Sequence, residues 1–275
     1  MFDNLSEGDA FIDPRTTVKI GDIRNFAELH AYSVEHEFSA VVHLAGQTGV
    51  PLSVEHPMED FEANAAGTIH VLEVARLARI PTVITVSSNA AVGLAPPPTS
   101  EESVPRPVTP YGAHKLYLEA ITRAYAHSYH MNTGSVRLAN VYGPLSTHKS
   151  SVIANWFRCI RSGERVVVFG NGSATRDFIH VTDVARVIAR LLEADLGGEV
   201  VCVGTGVETS VLTLVDIVRE VVGRAFGVEM RPARPGEVAR NFANVRQLEG
   251  LLPEGFTFTD LRVGLAETWK WYLQH

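Results

Sequence analysis

Along this chain, short apolar runs alternate with longer stretches in which apolar residues recur every three or four positions. Residues 39–46, SAVVHLAG, are a β-branched run closed by glycine and read as a buried strand. Residues 82–88, TVITVSS, read the same way. Between them, 58–79 has helical spacing, with Phe61, Ala65, Ile69, Leu72 and Ala75 on one face. Residues 110–129 predict a second helix, with Pro110 in its first turn, and 134–143 a strand running into a loop. Strand–helix–strand alternation of this kind implies a parallel, doubly wound α/β sheet.

Beyond about residue 145 the pattern changes. SVIANWFRCIRSG predicts a helix, RVVVFGNGSATRDFIHV a strand, turn and strand, and VTDVARVIARLLEA a helix. EVVCVGTG predicts a strand and TLVDIVREVVGRAFG a helix, and the C-terminal stretch is helical from about Thr259. The expected division is a doubly wound domain over 1–145 and a smaller mixed α/β substrate lobe over 146–275. Parts of 177–205 are expected to return to the first domain.

Composition narrows the function classes. Apolar residues are 45% and charged residues 20%, an ordinary globular mix, and the formal charge is −7 with no basic block. That argues against nucleic acid as a partner. Cys159 and Cys202 fit no metal or disulfide spacing. No apolar run reaches the roughly 18–20 residues of a membrane span, and the first residues are polar and acidic rather than signal-like. The expectation is a cytoplasmic protein without a metal.

The candidate chemistry lies in SVPRPVTPYGAHKLYLEA, residues 103–120. Tyr111 and Lys115 are one helical turn apart and share a face. A nearby ammonium favours the phenolate, so a phenol of ordinary pKa about 10 becomes a base nearer neutrality. Alone, the spacing serves equally for a surface lysine beside a core-edge tyrosine. The preceding strand, however, ends in VSSNAAVG. Parallel sheets bind ligands at the carboxyl ends of their strands, which would bring Ser87, Ser88 and Asn89 into the crevice of Tyr111.

These residues resemble the extended short-chain dehydrogenase/reductase family, in particular its NAD-dependent nucleotide-sugar epimerases and dehydratases. HLAGQTGVPLSVEHP, NAAGTIHVLE (64–73), SSNAAVG, PYGAHK, RLANVYGP (137–144), FGNGSATRDFIHVTDVA (169–185) and RPGEV (234–238) follow in family order. The resemblance implies a Rossmann-like fold and NAD as cofactor. It makes Tyr111 the general base toward a sugar hydroxyl, and Lys115 the holder of the NAD ribose and the group that tunes the tyrosine. The serine or threonine that normally accompanies the tyrosine aligns with Asn89, with Ser88 just before it. An asparagine donates a hydrogen bond but cannot relay a proton as a hydroxyl does. No acidic residue stands in this turn, which favours epimerisation over dehydration. The family's NAD contacts fall on Asp3, Asn4, Asp22, Ile23, Leu44, Ala45, Gly46, Asn64 and Ser87 besides Tyr111 and Lys115. Asp3 favours NAD over NADP.

Substrate contacts fall on Ser88, Asn140, Arg176 and Arg234. A guanidinium fork suits diphosphate oxygens, although an arginine beside Asp177 also suits a surface ion pair. The implied reaction is epimerisation of a nucleotide sugar through a transient 4-keto intermediate, with UDP the base most frequent in the family. The alternatives are a catalytically impaired nucleotide-sugar binder or truncated fragment, and a keto-sugar reductase or dehydratase. The family commonly forms homodimers through helices matching 58–79 and 110–129, where Ala65, Ala66, Ala113, Ala120 and Ala124 permit close packing.

One family feature has no counterpart. FDNLS (2–6) resembles the end of the second strand and KIGDIRN (19–25) the third, and no glycine-rich turn precedes them. The resemblance therefore implies an N-terminally incomplete sheet: a truncated start foremost, or a natural fragment without redox activity, or a gap filled by another chain or a rearranged N-terminus. The family's fourth strand would have an open edge, and its third strand would lose its link to the rest.

Overall fold

The computed structural model describes residues 1–6, 12–233 and 238–275. Its strands are β1 (Phe2–Asp3), β2 (Lys19–Ile20), β3 (Ala40–His43), β4 (Thr82–Ser88), β5 (Asn132–Leu138), β6 (Asn140–Tyr142) and β7 (Val166–Phe169). They continue with β8 (Thr175–Arg176), β9 (Phe178–His180), β10 (Val200–Val203), β11 (Thr209–Ser210), β12 (Val228–Arg231) and β13 (Arg240–Asn241). The helices are α1 (Phe26–Val34), α2 (Val50–Glu55), α3 (Pro57–Phe61), α4 (Gly67–Leu77) and α5 (Pro110–Tyr129). After them come α6 (Val152–Ser162), α7 (Val181–Leu191), α8 (Val211–Val222), α9 (Arg246–Leu251) and α10 (Leu261–Gln274). Two compact units divide the chain. The first is Met1–Ala95, Ser103–Arg137 and Ile188–Val201; the second is Pro96–Glu102, Leu138–Val187 and Cys202–His275.

The first unit is built on a sheet of order β10-β5-β4-β3, in which β3 and β4 run parallel. β4 shows why a β-branched run becomes a central strand: Val83, Ile84 and Thr85 are fully buried, with neighbours on both edges. β3 is also apolar, but Ala40, Val41 and Val42 are only half-buried. Its second edge carries no strand among the described residues. β2 keeps its partner, pairing in parallel with β1, yet these two form a separate small sheet. Ile23, Leu29, Val71 and Val74 form a core that packs Phe2 beside β1 and Val41 of β3 against the same helical layer.

The segment 57–77 departs from the expected uninterrupted helix. α3 passes into a π-helical turn, Glu62–Ala66, before α4 begins. A π turn takes up an extra residue and breaks the 3.6-residue register. Ala65, Leu72 and Ala75 are buried as the spacing predicts, but Phe61, on the far side of the turn, is 44% exposed.

The second unit centres on Tyr142, Ile153, Trp156, Phe157, Leu214, Leu265, Trp269 and Tyr272. α6, α8 and α10 supply most of this core, and each fully buried large side chain contributes about 1.5–3 kcal/mol. Its sheets are short: β11-β8-β13, the parallel pair β12-β7, and the parallel pair β6-β9. No helix among the described residues is long and apolar enough to cross a membrane, and Cys159 and Cys202 are free thiols.

Candidate active site

In the first unit the site is assembled where β4 ends and α5 begins. Thr109 caps α5 by accepting a hydrogen bond from the Gly112 amide, and Pro110 takes the first helical position. The next turn must press directly on the 3₁₀ turn Asn89–Ala91: a Cβ at Gly112 would lie 2.4 Å from the Ala90 carbonyl oxygen. Glycine is therefore the residue that lets Tyr111 approach the end of β4.

Tyr111 is 7% exposed and hydrogen-bonds the Ser88 hydroxyl. Ser88 thus stands beside the phenol, and Asn89, the residue aligned with the family's hydroxyl position, follows it directly. Asn89 is buried next to it at the start of the 3₁₀ turn. Ser87 points elsewhere, its hydroxyl donating to Glu119 Oε1 at 2.6 Å. The expected crevice of three side chains reduces to Ser88 and its neighbours, because successive strand residues face opposite sides.

Lys115 is buried, donates to the Val86 carbonyl at 3.1 Å, and lies 5.7 Å from the Tyr111 ring centre. The electrostatics correct the sequence expectation. Burial pushes the Tyr111 hydroxyl up to about 12, against the lowering effect of the Ser88 hydrogen bond. Burial also pulls the Lys115 ammonium down to about 8, against the raising effect of the Asp60 carboxylate. Desolvation sets the direction for both groups, and spacing alone does not display burial.

Gly46, with φ +151°, lies against the same place. A Cβ there would sit 2.5 Å from Asn64 Oδ1 and 3.6 Å from Lys115 Nζ. Asn64 is buried, and its Oδ1 has no hydrogen-bond partner. The lysine has spent one donor on Val86, and it and an unsatisfied acceptor both line the space over Gly46. Such a pair suits the vicinal hydroxyls of a ribose, so the residues present fit the nicotinamide end of a dinucleotide.

The remaining cofactor candidates lie along the ends of β1, β2 and β3. Asp3 accepts from the Leu5 amide at 2.7 Å, and Asn4 donates to Asp22 at 3.2 Å. Asp22 is clasped by Arg24, which holds its carboxyl well below the ordinary range. Ile23 is buried under Gly67, while Leu44 is exposed.

Sequence reasoning passed over His43, Asp60, His114, Glu119 and Arg137. His43 is buried at the end of β3, bonded to Thr68 at 3.1 Å, and burial brings its pKa down to about 3. Glu119 and Arg137 form a buried two-point ion pair, at 2.9 and 2.6 Å, and Glu119 also accepts from Ser87. His114 and Glu119 lie inside the quoted tyrosine–lysine segment, but their partners are distant in sequence.

In the second unit, Asn140 of β6 pairs with the Asp177 carbonyl through both its amide and its side chain, at 2.9 and 3.3 Å. Arg176 does not take Asp177 as its ion partner. Its guanidinium donates to the Thr175 and Val238 carbonyls, while the buried Asp177 carboxylate accepts from Thr205 and Gly206. Arg234 lies outside the described residues.

The sequence model of the NAD dependent epimerase/dehydratase family matches residues 1–204, and the chain belongs to that family. The UDP-glucose 4-epimerase of Mycolicibacterium smegmatis is 33% identical over 253 residues, covering 90% of this chain and 80% of that protein. A crystal structure of UDP-glucose 4-epimerase with UDP-glucose from Thermotoga maritima has a TM-score of 0.92 at 28% identity, over 99% of this chain and 90% of that one. The Thermus thermophilus UDP-glucose 4-epimerase, in complex with NAD, gives 0.90 at 28% identity, over 99% and 90%. The fold is accordingly that of the Rossmann-type epimerases.

Proposed function

We propose that this chain is a nucleotide-sugar epimerase, with a UDP-sugar as substrate and a transient 4-keto sugar as intermediate. The observation that supports it best is the cluster at the carboxyl end of β4, where buried Tyr111 and Lys115 meet the half-buried Ser88. Relatives and structural neighbours include UDP-glucose 4-epimerases, alongside dehydratases, and one neighbour holds UDP-glucose. Bound NAD supplies a reversible hydride acceptor and, when oxidised, a positive ring charge.

Tyr111 is the proton acceptor for the sugar hydroxyl. Its proton is firmly held in the buried site, so it becomes a base only when positive charge is brought alongside it. Ser88 orients the same hydroxyl through its bond to the phenol. Lys115 and Asn64 would hold the cofactor ribose, with Ser87, Leu44, Ala45 and Gly46 shaping that end. Asp3, Asn4, Asp22 and Ile23 would take the adenosine end. Asn140, Arg176 and Arg234 would anchor the nucleoside diphosphate, leaving the sugar ring free to turn over. Anchoring energy held away from the reacting carbon is what allows both faces to be presented.

The same reading makes the chain a cytoplasmic homodimer. The exposed side chains of Met58, Phe61 and Tyr117, and the exposed Ala113, Ala120 and Ala124 of α5, support association through these helices. Replacing Tyr111 by Phe is expected to lower kcat by at least about a hundredfold with nucleotide-sugar affinity nearly unchanged; full turnover would remove the assignment. A second reading, a nucleotide-sugar-binding protein without redox turnover, is favoured by Asn89 in place of a hydroxyl residue, because an asparagine cannot relay a proton. Absorbance and fluorescence of the purified chain titrated with NADH separate the two. Saturable binding supports the epimerase; none supports the silent binder.

A further inference from the structure

Resting on the reading above and deepening it, a residue outside the tyrosine–lysine motif comes into view. Asp60 is buried at the end of α3, and three side chains converge on it. Gln47 Nε2 and Asn64 Nδ2 donate to Oδ1 at 2.9 and 2.8 Å, and His114 Nδ1 meets Oδ2 at 2.5 Å. Gln47 and Asn64 belong to the loop after β3 and to the π turn, whereas His114 immediately precedes Lys115 on α5. Phe61 closes the outer side, its ring edge-on to His114 at 5.6 Å.

We propose that Asp60 is a positioning residue for the Tyr111–Lys115 pair: through His114 it clasps the turn of α5 that carries both, and it supplies the negative charge that the buried lysine otherwise lacks. Around Lys115 the titratable groups are Tyr111 from its own helix, His43 from β3 and Asp60 from α3; of these only Asp60 is a carboxylate. Its charge opposes the desolvation of the lysine, which keeps a donor-rich ammonium over Gly46, where Asn64 Oδ1 also lies. The geometry also explains why a carboxylate survives here. Gln47 and Asn64 donate to one oxygen and His114 meets the other, so neither oxygen is left without a polar partner.

The test uses Asp60→Asn and His114→Leu. An asparagine at 60 keeps Oδ1 as acceptor for Gln47 and Asn64, and its amide can donate to Nδ1 of the other histidine tautomer. The variant thus removes charge while retaining hydrogen bonds. Lys115 is one of four lysines in the chain, so its side-chain nitrogen is resolvable by NMR with no nucleotide added. The Lys115 titration midpoint is expected to fall by about half a pH unit in D60N, with the melting temperature close to that of the unaltered chain. An unchanged midpoint in folded D60N overturns the proposal, and so does a lowered melting temperature with the midpoint unmoved, the mark of a merely structural role.

His114→Leu guards against failure of D60N to fold, because position 114 is partly exposed. It loosens the clasp and is expected to lower kcat on the order of tenfold with KM for the nucleotide sugar unmoved, while His114→Gln, which keeps a donor toward Oδ2, restores turnover. Unaltered turnover in H114L overturns the proposal. The NMR arm reads no reaction. A fully active Tyr111→Phe would therefore sink the functional reading and leave the Lys115 result standing.

Discussion

Two stretches of α5 handle buried charge in opposite ways. In the middle of the helix, Glu119 meets Arg137 at two points and Ser87 besides, so both charges are matched inside the first unit. One turn earlier, Lys115 is equally buried but donates to a backbone carbonyl, and burial has brought its pKa down to about 8. A matched pair holds structure and leaves no group poised to react. An unmatched charge is costly, and that cost is the physical signature of a site awaiting a partner.

The contrast can be broken from either side. The largest effect is expected from Glu119→Ala, which strands Arg137 in the interior. Unfolding in urea should show a loss of about 3–5 kcal/mol. Lys115→Met should do the reverse. The unfolded lysine keeps its proton up to the ordinary value of 10.5, whereas the folded one begins to lose it near 8. Below about pH 8 both states are protonated, and the folded state bears the whole penalty, about 3 kcal/mol. Between pH 8 and 10.5 the unfolded chain binds the extra proton, so stability of the unaltered protein rises with pH. K115M is therefore expected to be more stable at pH 7, with the gain shrinking across that window as thermal unfolding is followed by circular dichroism. A gain that is constant with pH would show that packing, not charge, is the cause. The smallest effect is Thr109→Ala, which removes the cap that sets the first turn and is expected to cost about 1 kcal/mol by the same measurement.

The sequence disclosed the elements whose signals are local. The helix over 110–129 coincides with α5, and the strand over 82–88 with β4, because proline, capping threonine and β-branched runs act within a few residues. Family order in the motifs pointed to the fold and to the cluster around Tyr111. Three things escaped. The direction of the Tyr111 shift depends on burial, which spacing does not report. Asp60 and His114 are 54 positions apart, so neither advertises the other. The π turn has no sequence mark of its own, and the outward position of Phe61 followed from it. The bond between Tyr111 and Ser88 is a smaller instance: which residue of a strand end meets the next helix is set by the chain's path, not by spacing.

That π turn has an architectural consequence. The extra residue within Glu62–Ala66 acts as a phase shift between the two ends of one long rod. Each residue in a regular helix advances about 100° around the axis. Excising a single alanine there would wind the rod smoothly, and would swing everything before it, Asp60 included, about a quarter-turn or more away from the neighbour it now grips. One surplus peptide unit thus keeps the front and back of this rod addressed to different neighbours.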